Sequence, residues 1–499
     1  MDRKERKMSY KALKSGTDVR GVASDLGGKE VNLTDSAVYD ITSAFATFVA
    51  EKYGKNTEDL TIAVGHDSRI SAFRISMQVI SALKNLGCTV LNCNLASTPA
   101  MFMTTVDLGT DGAVQITASH HPFDRNGLKF FIKEGGLESS QLGEIIEIAD
   151  KGGFSQKEGG SVQNVDYMTT YSAGLRKMIC EAIGKSEEEK PLTNYHIVVD
   201  AGNGVGGFYA TNVLEPLGAD VSGSRYLEPD GMFPNHIPNP EDKTAMQSIK
   251  DAVIESGADF GVIFDTDVDR AGCVDSTGEE INRNRLIALA SVIASNGKKD
   301  CTIVTDSVTS DGLKEFIEND LGCKHYRYRR GYKNVIDKAI ELCNQGIDCP
   351  LAIETSGHAA LRENYFLDDG AYLITKIIIE LGRGRDLNKT LENLKMPKEE
   401  RECRLNITED DFKAYGLRVI DELEAFVLAD TDTYKVADDN REGIRVSTPY
   451  GWFLLRLSVH DPVMPLNFES DEVGGIDKMV ALIKPFFEKY NGLDISAIK

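Results

Sequence analysis

The chain has 499 residues, 41% of them hydrophobic, and its 78 acidic against 56 basic side chains give a formal net charge of −22. That length exceeds a single core and predicts three or four domains, while the hydrophobic share is ordinary for a globular protein in water. So acidic a surface disfavours nucleic acid and anionic membranes as partners, and any anionic ligand has to be drawn in by a local basic pocket.

The first eight residues are charged and no apolar stretch follows, so no secretory signal is expected. No apolar run approaches the ~20 residues of a membrane span. The longest, Leu286 to Ala294, reads as a buried helix. The nine cysteines are odd in number and none shows CxxC spacing, which predicts reduced thiols in a cytosolic protein and argues against a disulfide frame or a zinc site.

Ser15 to Gly21 is a compact glycine loop around Arg20, able to hold a phosphoryl oxygen or to serve as a plain turn. Thr61 to Val64 is an apolar strand running into Gly65-His66-Asp67-Ser68-Arg69. Ala113 to Ile116 is another, ending in Thr117-Ala118-Ser119-His120-His121-Pro122 and followed by Asp124, Asn126, Gly127 and Lys129. A serine at such a turn has its hydroxyl aimed outward, and two histidines beside it can trade protons or contact anions near neutral pH. With the fixed charge of Lys129 near by, the segment suggests a serine that carries a phosphoryl group; the alternative is a polar loop whose serine caps a helix.

Gly152 to Gly160 and Lys185 to Lys190 read as linkers. His196 to Val199 is a strand leading into Asp200-Ala201-Gly202-Asn203-Gly204-Val205-Gly206-Gly207. The glycines match a dinucleotide fingerprint, but the Asp200 charge would crowd a pyrophosphate, and a tight turn is the better reading. Thr302 to Thr305 with Asp306-Ser307 repeats the pattern of strand, Asp, small residues and helix at domain-scale spacing, which predicts βα units with parallel sheets and binding loops at the strand ends.

Phe260 to Phe264 leads into Asp265-Thr266-Asp267-Val268-Asp269-Arg270. Carboxylates at i, i+2 and i+4 share one side of an extended chain and make a hard-oxygen site suited to Mg²⁺. A solvated acidic turn and a phosphatase nucleophile loop are the alternatives, the latter weakened by Asp269 where Thr or Val is usual. Glu354-Thr355-Ser356-Gly357-His358 offers donors and acceptors for sugar hydroxyls, and Asp368-Asp369-Gly370 is expected to cap a helix beginning at Ala371. After a linker at Lys395 to Glu400, an acidic helix at Glu409 to Ala425 and strands near Tyr434 and Trp452 to Leu457 predict a separate α+β domain. In it, Arg441 to Arg445 and Arg456-Leu457-Ser458-Val459-His460-Asp461-Pro462 suit a phosphate grip or a surface arginine pair. Six of the eight histidines fall in these loops, which suggests that the loops face one common site.

Taken together and in this order, the segments resemble the α-D-phosphohexomutase superfamily, which includes phosphoglucomutase and phosphomannomutase. Ser15 to Gly21 is similar to its Gly-Thr-Asp-Gly-Ile-Arg-Gly, Thr117 to Pro122 to its phosphoserine loop, Asp230 to Glu241 to a further segment, Asp265 to Arg270 to its metal loop and Glu354 to His358 to its sugar loop. The resemblance implies that Ser119 is the phosphoserine and that Mg²⁺ is bound by Asp265, Asp267, Asp269 and the Ser119 phosphate. It further implies catalytic roles for Arg20, His120, Lys129 and Arg270. Lys333, Glu354, Ser356 and His358 would contact the substrate, and Arg441, Arg456 and Ser458 would hold the non-reacting phosphate. His121 replaces the usual Asn, Val459 to Pro462 replaces Gly/Asn-Thr-Glu-Pro, and Tyr328-Arg329-Arg330-Gly331-Tyr332-Lys333 replaces Thr-x-Val-Gly-x-Lys/Arg.

The fold expected is α/β, three similar mixed α/β domains plus a C-terminal α+β domain around a central cleft, bounded at 1–174, 175–298, 299–397 and 398–499. The function implied is a cytoplasmic mutase that interconverts hexose 1- and 6-phosphates, with Mg²⁺ and a hexose 1,6-bisphosphate activator. A small phosphosugar is its partner, with no nucleic acid and no membrane; the oligomeric state is not legible. Glucose 1-phosphate is expected ahead of mannose 1-phosphate and then glucosamine phosphate. Alternatives are a phosphoglucosamine mutase, a non-catalytic sugar-phosphate binding protein, and a metal-dependent phosphatase using Asp265.

Overall fold

The strand Gly112–Ile116 is buried at every position, as is Phe260–Phe264, because both lie in the middle of sheets covered by helices. In the structure, a computed structural model describing residues 9–458 and 461–498, the chain divides into two units. The first comprises the residues up to Asn282 with Ser356–Ala359 and Leu367–Arg385; the second comprises Arg283–Thr355, Ala360–Phe366 and the chain from Asp386 onward. Val459 and His460 of the final loop lie outside the described residues.

The first unit holds two sheets. In the larger, the order is Lys14–Ser15, Asp18–Val22, Arg125–Ile132, Gly112–Ile116, Thr61–His66, Thr89–Leu95, Ser161–Asn164. The last four are parallel and Arg125–Ile132 is antiparallel to its neighbours. In the smaller, Ile197–Asp200 runs parallel to Phe260–Phe264, and Ala271–Asp275 returns antiparallel. The sheets are therefore mixed where the strand–helix repeat predicts parallel ones. The reason is that the chain after Ile116 and after Phe264 turns straight back as a hairpin, leaving Ser119 and Asp265–Arg270 in the connections.

Local chemistry explains the helix ends. Thr34 caps Asp35–Tyr53 by accepting from Ala37 N at 3.2 Å, and Gly54 closes it at φ 62. Asp369 caps Gly370–Gly382 by accepting from Tyr372 N at 2.8 Å, one residue before the expected start. Among the described residues no helix is long and apolar enough to cross a membrane.

In the second unit the strands Lys324–Tyr328, Thr302–Asp306 and Leu351–Ile353 are parallel. Beyond them lies a six-stranded antiparallel sheet with Val463–Ser470 and Glu399–Ile407 at its heart. The latter strand takes up the end of the expected Lys395 to Glu400 linker. The helix expected at Glu409 to Ala425 runs instead over Phe412–Leu428, because Asp411 is the residue that caps it, accepting from Ala414 N at 3.1 Å. This helix and Gly475–Phe487 supply Val419, Leu423, Ile483 and Phe487 to one core with Phe453 and Phe468.

Within this domain Glu469 is 5% exposed and accepts from the Trp452 indole at 2.9 Å, while the Arg445 guanidinium lies 3.4 Å over the indole ring. Burial pushes the Glu469 carboxyl up to about 7 against the pull of Trp452 and Arg445. The folded state then keeps a proton that the unfolded chain releases near its ordinary pKa of ~4.3, so the contribution of Glu469 to stability is full below that pH and is lost as pH rises through about 7. Trp452 is the only tryptophan and reports this site directly. Its fluorescence melting midpoint is expected to drop by about 3 °C or more between pH 5 and pH 7.5. Glu469→Gln should flatten that dependence, and an unchanged slope in the variant would refute the assignment.

Candidate active site

Ser119 sits where the chain leaves Gly112–Ile116, and its backbone is left-handed at φ 49. That conformation is costly for a residue with a Cβ and persists only where neighbours enforce it. Arg69 does so. Its guanidinium donates to the carbonyls of Ser119, His121 (2.6 Å), Pro122 (2.7 Å) and Arg125 (3.0 Å), so one buried side chain gathers the whole loop. Asp67, fully buried, holds Arg69 in turn at 3.3 Å. Burial lowers the Arg69 pKa from its ordinary value, with Asp67 acting against this. Neither residue was singled out from the sequence beyond its place in a strand-end loop, since the contact joins positions 50 residues apart.

The Ser119 hydroxyl is held by opposed partners. It donates to Asp265 Oδ2 at 3.0 Å and accepts from Arg270 Nη2 at 3.1 Å. The same Arg270 nitrogen lies 2.6 Å from His120 Nδ1. A guanidinium can only donate, so Nδ1 is the acceptor and His120 is neutral with its proton on Nε2. Burial, followed by Arg270, agrees, pushing the His120 pKa down to about 2; burial and Arg20 bring His121 to about 4. Both imidazoles are thus favoured in the neutral form, in which each still offers one N–H donor to an anion. Arg20 bonds the Thr117 carbonyl at 2.5 Å and Asp18 at 2.7 Å, at the base of the same loop.

Asp265, Asp267 and Asp269 are all buried and offer oxygens within 4.8 Å of one another. They converge, but not through an extended chain as expected. Asp265 to Arg270 is a tight hairpin connection with Val268 at φ 67 and Val268 N bonded to the Asp265 carbonyl at 3.3 Å. Lys129 donates to Asp269 at 2.7 Å, Arg270 to Asp265 at 3.2 Å, and Thr98 to Asp267. Asp267 Oδ1 and Asp269 Oδ1 remain buried with no hydrogen-bond partner among the described residues. Orphaned carboxylate oxygens aimed at one point suit a hard divalent cation. Burial, then repulsion from Asp269, raises the Asp265 and Asp267 pKa values; burial works on Asp269 too, but Lys129, His358 and Arg270 outweigh it and hold Asp269 low.

Ser356 and His358 belong to this unit. Gly357, at φ 93, lies against the strand Ala271–Asp275, and a Cβ there would stand 2.8 Å from the Ala271 carbonyl. His358 pairs with Asp368 through Nδ1 and lies 3.9 Å from Asp269. Burial disfavours its charge, yet Asp368 and Asp269 outweigh this and raise it to about 9, an imidazolium at neutral pH. The loops of His66 and His236 do reach this site, through Arg69 and through Asn239, which accepts from Arg270 at 3.0 Å, but those two histidine side chains are engaged elsewhere. His236 bonds Asp200 at 3.0 Å in a separate buried group with Ser248, and His66 Nδ1 faces the Asp67 carbonyl. The Gly202 loop is a tight turn, with Asp200 accepting from Gly202 N at 2.9 Å.

In the second unit Glu354 is buried and accepts from Gly331 N at 2.5 Å. Lys333 pairs with Asp337 along its own helix. Arg441 lies 4.0 Å over the Tyr326 ring and donates to the Arg327 carbonyl at 3.3 Å. Arg456 is 3.9 Å from Glu402, and its buried Nε has no hydrogen-bond partner among the described residues. Ser458 accepts from Asp461 N at 3.3 Å. Glu442 links these parts, accepting from Arg330 N at 3.1 Å and from Ser307; the sequence reading did not assign Arg330 or Glu442.

A serine hydroxyl held between Asp265 and Arg270, beside a carboxylate trio able to hold a metal ion, is an arrangement suited to phosphoryl transfer on a mixed α/β scaffold. Family models described as phosphoglucomutase/phosphomannomutase α/β/α domains I, II and III match residues 13–156, 170–278 and 282–396. The chain belongs to the phosphoglucomutase/phosphomannomutase family. It is 29% identical over 477 residues to a phosphoglucomutase of Neisseria gonorrhoeae, covering 94% of this chain and 95% of the relative. It is 29% identical over 469 residues to a phosphomannomutase/phosphoglucomutase of Pseudomonas aeruginosa, covering 94% and 93%. Among solved structures, a phosphoglucomutase/phosphomannomutase family protein from Burkholderia thailandensis superposes with a TM-score of 0.78 at 25% identity, covering 97% of each chain.

Arg69→Met should release the serine loop without emptying the core around it. Losing hydrogen bonds from a charged donor costs about 1.5–3 kcal/mol. Amide exchange across residues 117–126 is expected to accelerate roughly tenfold or more, with Thr61–His66 unchanged; equal protection in the variant would show that Arg69 does not hold the loop.

Proposed function

We propose that the chain is a reversible hexose phosphate mutase working through phospho-Ser119. The observation that carries this reading is the Ser119 hydroxyl held between Asp265 at 3.0 Å and Arg270 at 3.1 Å, against the carboxylate trio. A hydroxyl oxygen of a hexose 1-phosphate attacks the phosphorus, the bond to Ser119 Oγ breaks, and a bisphosphorylated sugar forms. After the sugar turns over, Ser119 Oγ attacks the other phosphoryl group and the product leaves with one phosphate. Such transfers depend on positioning and on neutralising the charge of the transferring group. Arg270 and Arg20 bring fixed positive charge to the serine loop, and Lys129 brings it to Asp269. Mg²⁺, held by Asp265, Asp267, Asp269 and a phosphoryl oxygen on Ser119, would supply further charge neutralisation.

Neutral His120 donates from Nε2 and keeps Arg270 in place through Nδ1. The His358 imidazolium and Ser356 are assigned to the sugar phosphate. In the second unit Glu354 and Lys333 are assigned to the sugar, and Arg441, Arg456 and Ser458 to the phosphate that does not react. Glucose 1-phosphate is the preferred substrate in this reading, followed by mannose 1-phosphate and then glucosamine phosphate. A hexose 1,6-bisphosphate restores phospho-Ser119 whenever the intermediate escapes.

With Mg²⁺, a trace of glucose 1,6-bisphosphate and each hexose phosphate, the 6-phosphate should form, and intact mass should show one phosphoryl group on Ser119. Ser119→Ala should lose both. Free phosphate accumulating from Ser119→Ala would instead indicate a phosphatase, and no turnover of any hexose phosphate a binding protein. Fastest turnover of glucosamine 6-phosphate would reverse the substrate order. Arg270→Met is expected to lower kcat by about 10²–10³. Arg456→Ala should act mainly on KM, raising it roughly 10- to 100-fold for loss of charge-assisted hydrogen bonds.

A further inference from the structure

Cys301 immediately precedes the strand Thr302–Asp306, and Cys323 immediately precedes Lys324–Tyr328. These strands are parallel neighbours with Thr302 opposite Lys324, so the cysteines face each other one step before the pairing begins. The backbone is already tied there, Lys324 N donating to the Cys301 carbonyl at 2.7 Å and Asp300 N to the Gly322 carbonyl at 2.9 Å. The two sulfurs are 2.8 Å apart and buried, Cys301 at 1% and Cys323 at 4% exposure. A disulfide needs about 2.05 Å between sulfurs, so closure asks for a shift of less than about 1 Å. The other close pair differs, since Cys343 Sγ faces the Cys349 carbonyl at 3.5 Å.

We propose that Cys301 and Cys323 form a redox-active dithiol that a hydroperoxide closes to a disulfide and a small dithiol reopens. Cys323, the less buried residue of the two, attacks the peroxide; an S–O bond forms, the O–O bond breaks, and one water leaves, taking the Cys323 thiol proton. The Cys301 sulfur then attacks the sulfenic sulfur; the S–S bond forms, the S–O bond breaks, and a second water carries away the oxygen and the thiol proton. Two thiols and one hydrogen peroxide thus give one disulfide and two waters. Burial and the contact with Cys323 push the Cys301 thiol up to about 12, consistent with a resolving rather than an attacking role.

Lys324–Tyr328 is the edge strand of its sheet and leads directly into Arg329, Arg330 and Gly331. The disulfide would staple this edge to Thr302–Asp306, the strand that ends at Asp306. The proposal concerns the base of these strands and is independent of the mutase reading.

The test treats the full chain with hydrogen peroxide, blocks remaining thiols under denaturing conditions, and maps peptides without reduction. The expected result is a loss of 2 Da, seven blockable thiols in place of nine, and a peptide joining residues 301 and 323. Amide exchange across 324–328 should slow at least fivefold and recover with dithiothreitol. Cys323→Ser should retain eight blockable thiols after peroxide and show no slowing. Nine thiols after oxidation, a crosslink between 343 and 349 instead, or sulfinic acid at Cys323 would each overturn the proposal; the wild-type peptide map decides the matter even if a variant fails to fold.

Discussion

Burying three carboxylates in one turn of chain is the constraint around which the first unit is arranged. Like charges without water repel and resist ionisation, so Asp265, Asp267 and Asp269 can be tolerated together only where compensating groups are fixed close by. Lys129 from a neighbouring strand, Arg270 from the same turn and His358 from a distant segment provide that compensation. The first of these is an arm of the larger sheet and the last is carried by a segment from beyond residue 355, so charge balance at one point draws together three parts of the chain. The buried oxygens left over on Asp267 and Asp269 are where a cation would complete the balance.

Ser119 is set by a second constraint, on backbone rather than charge. Ser119 occupies a left-handed conformation that its own side chain does not favour, and Arg69 gathers four carbonyls around it. The arrangement spends a buried guanidinium on shape, leaving Arg270 for the hydroxyl itself. The division matters chemically. The group that orients the loop is distinct from the one that contacts the hydroxyl, so the loop geometry is fixed independently of the hydroxyl's partners.

The second unit follows a different logic. Its arginines are interleaved with carboxylates: Arg456 beside Glu402, and Arg330 N on Glu442, which also receives the Ser307 hydroxyl. Any anion binding here would have to compete with these resident acids for the arginines. The departures at Tyr328 to Lys333 fall in the midst of this network, where Arg330 N donates to Glu442 and Gly331 N to Glu354.

Much was legible without a structure where the determinants are local. Short apolar strands ending in Asp, Ser or Gly placed the serine loop and the acidic loop at the ends of Gly112–Ile116 and Phe260–Phe264, and Asp369 announced its helix by capping chemistry. The residue types alone suggested Ser119 and the three aspartates as groups suited to phosphate and a hard cation, with a capping serine and an acidic turn left open. Tertiary structure alone decided the remainder. It made the acidic loop a tight turn instead of an extended run and rendered His120 neutral through burial and Arg270. It paired His236 with Asp200 and brought Arg69 to a loop 50 residues away. The physical reason is range: turns, caps and strand periodicity are fixed by neighbours in sequence, whereas charge state, loop clamping and the meeting of side chains depend on distances that exist only once distant strands have paired.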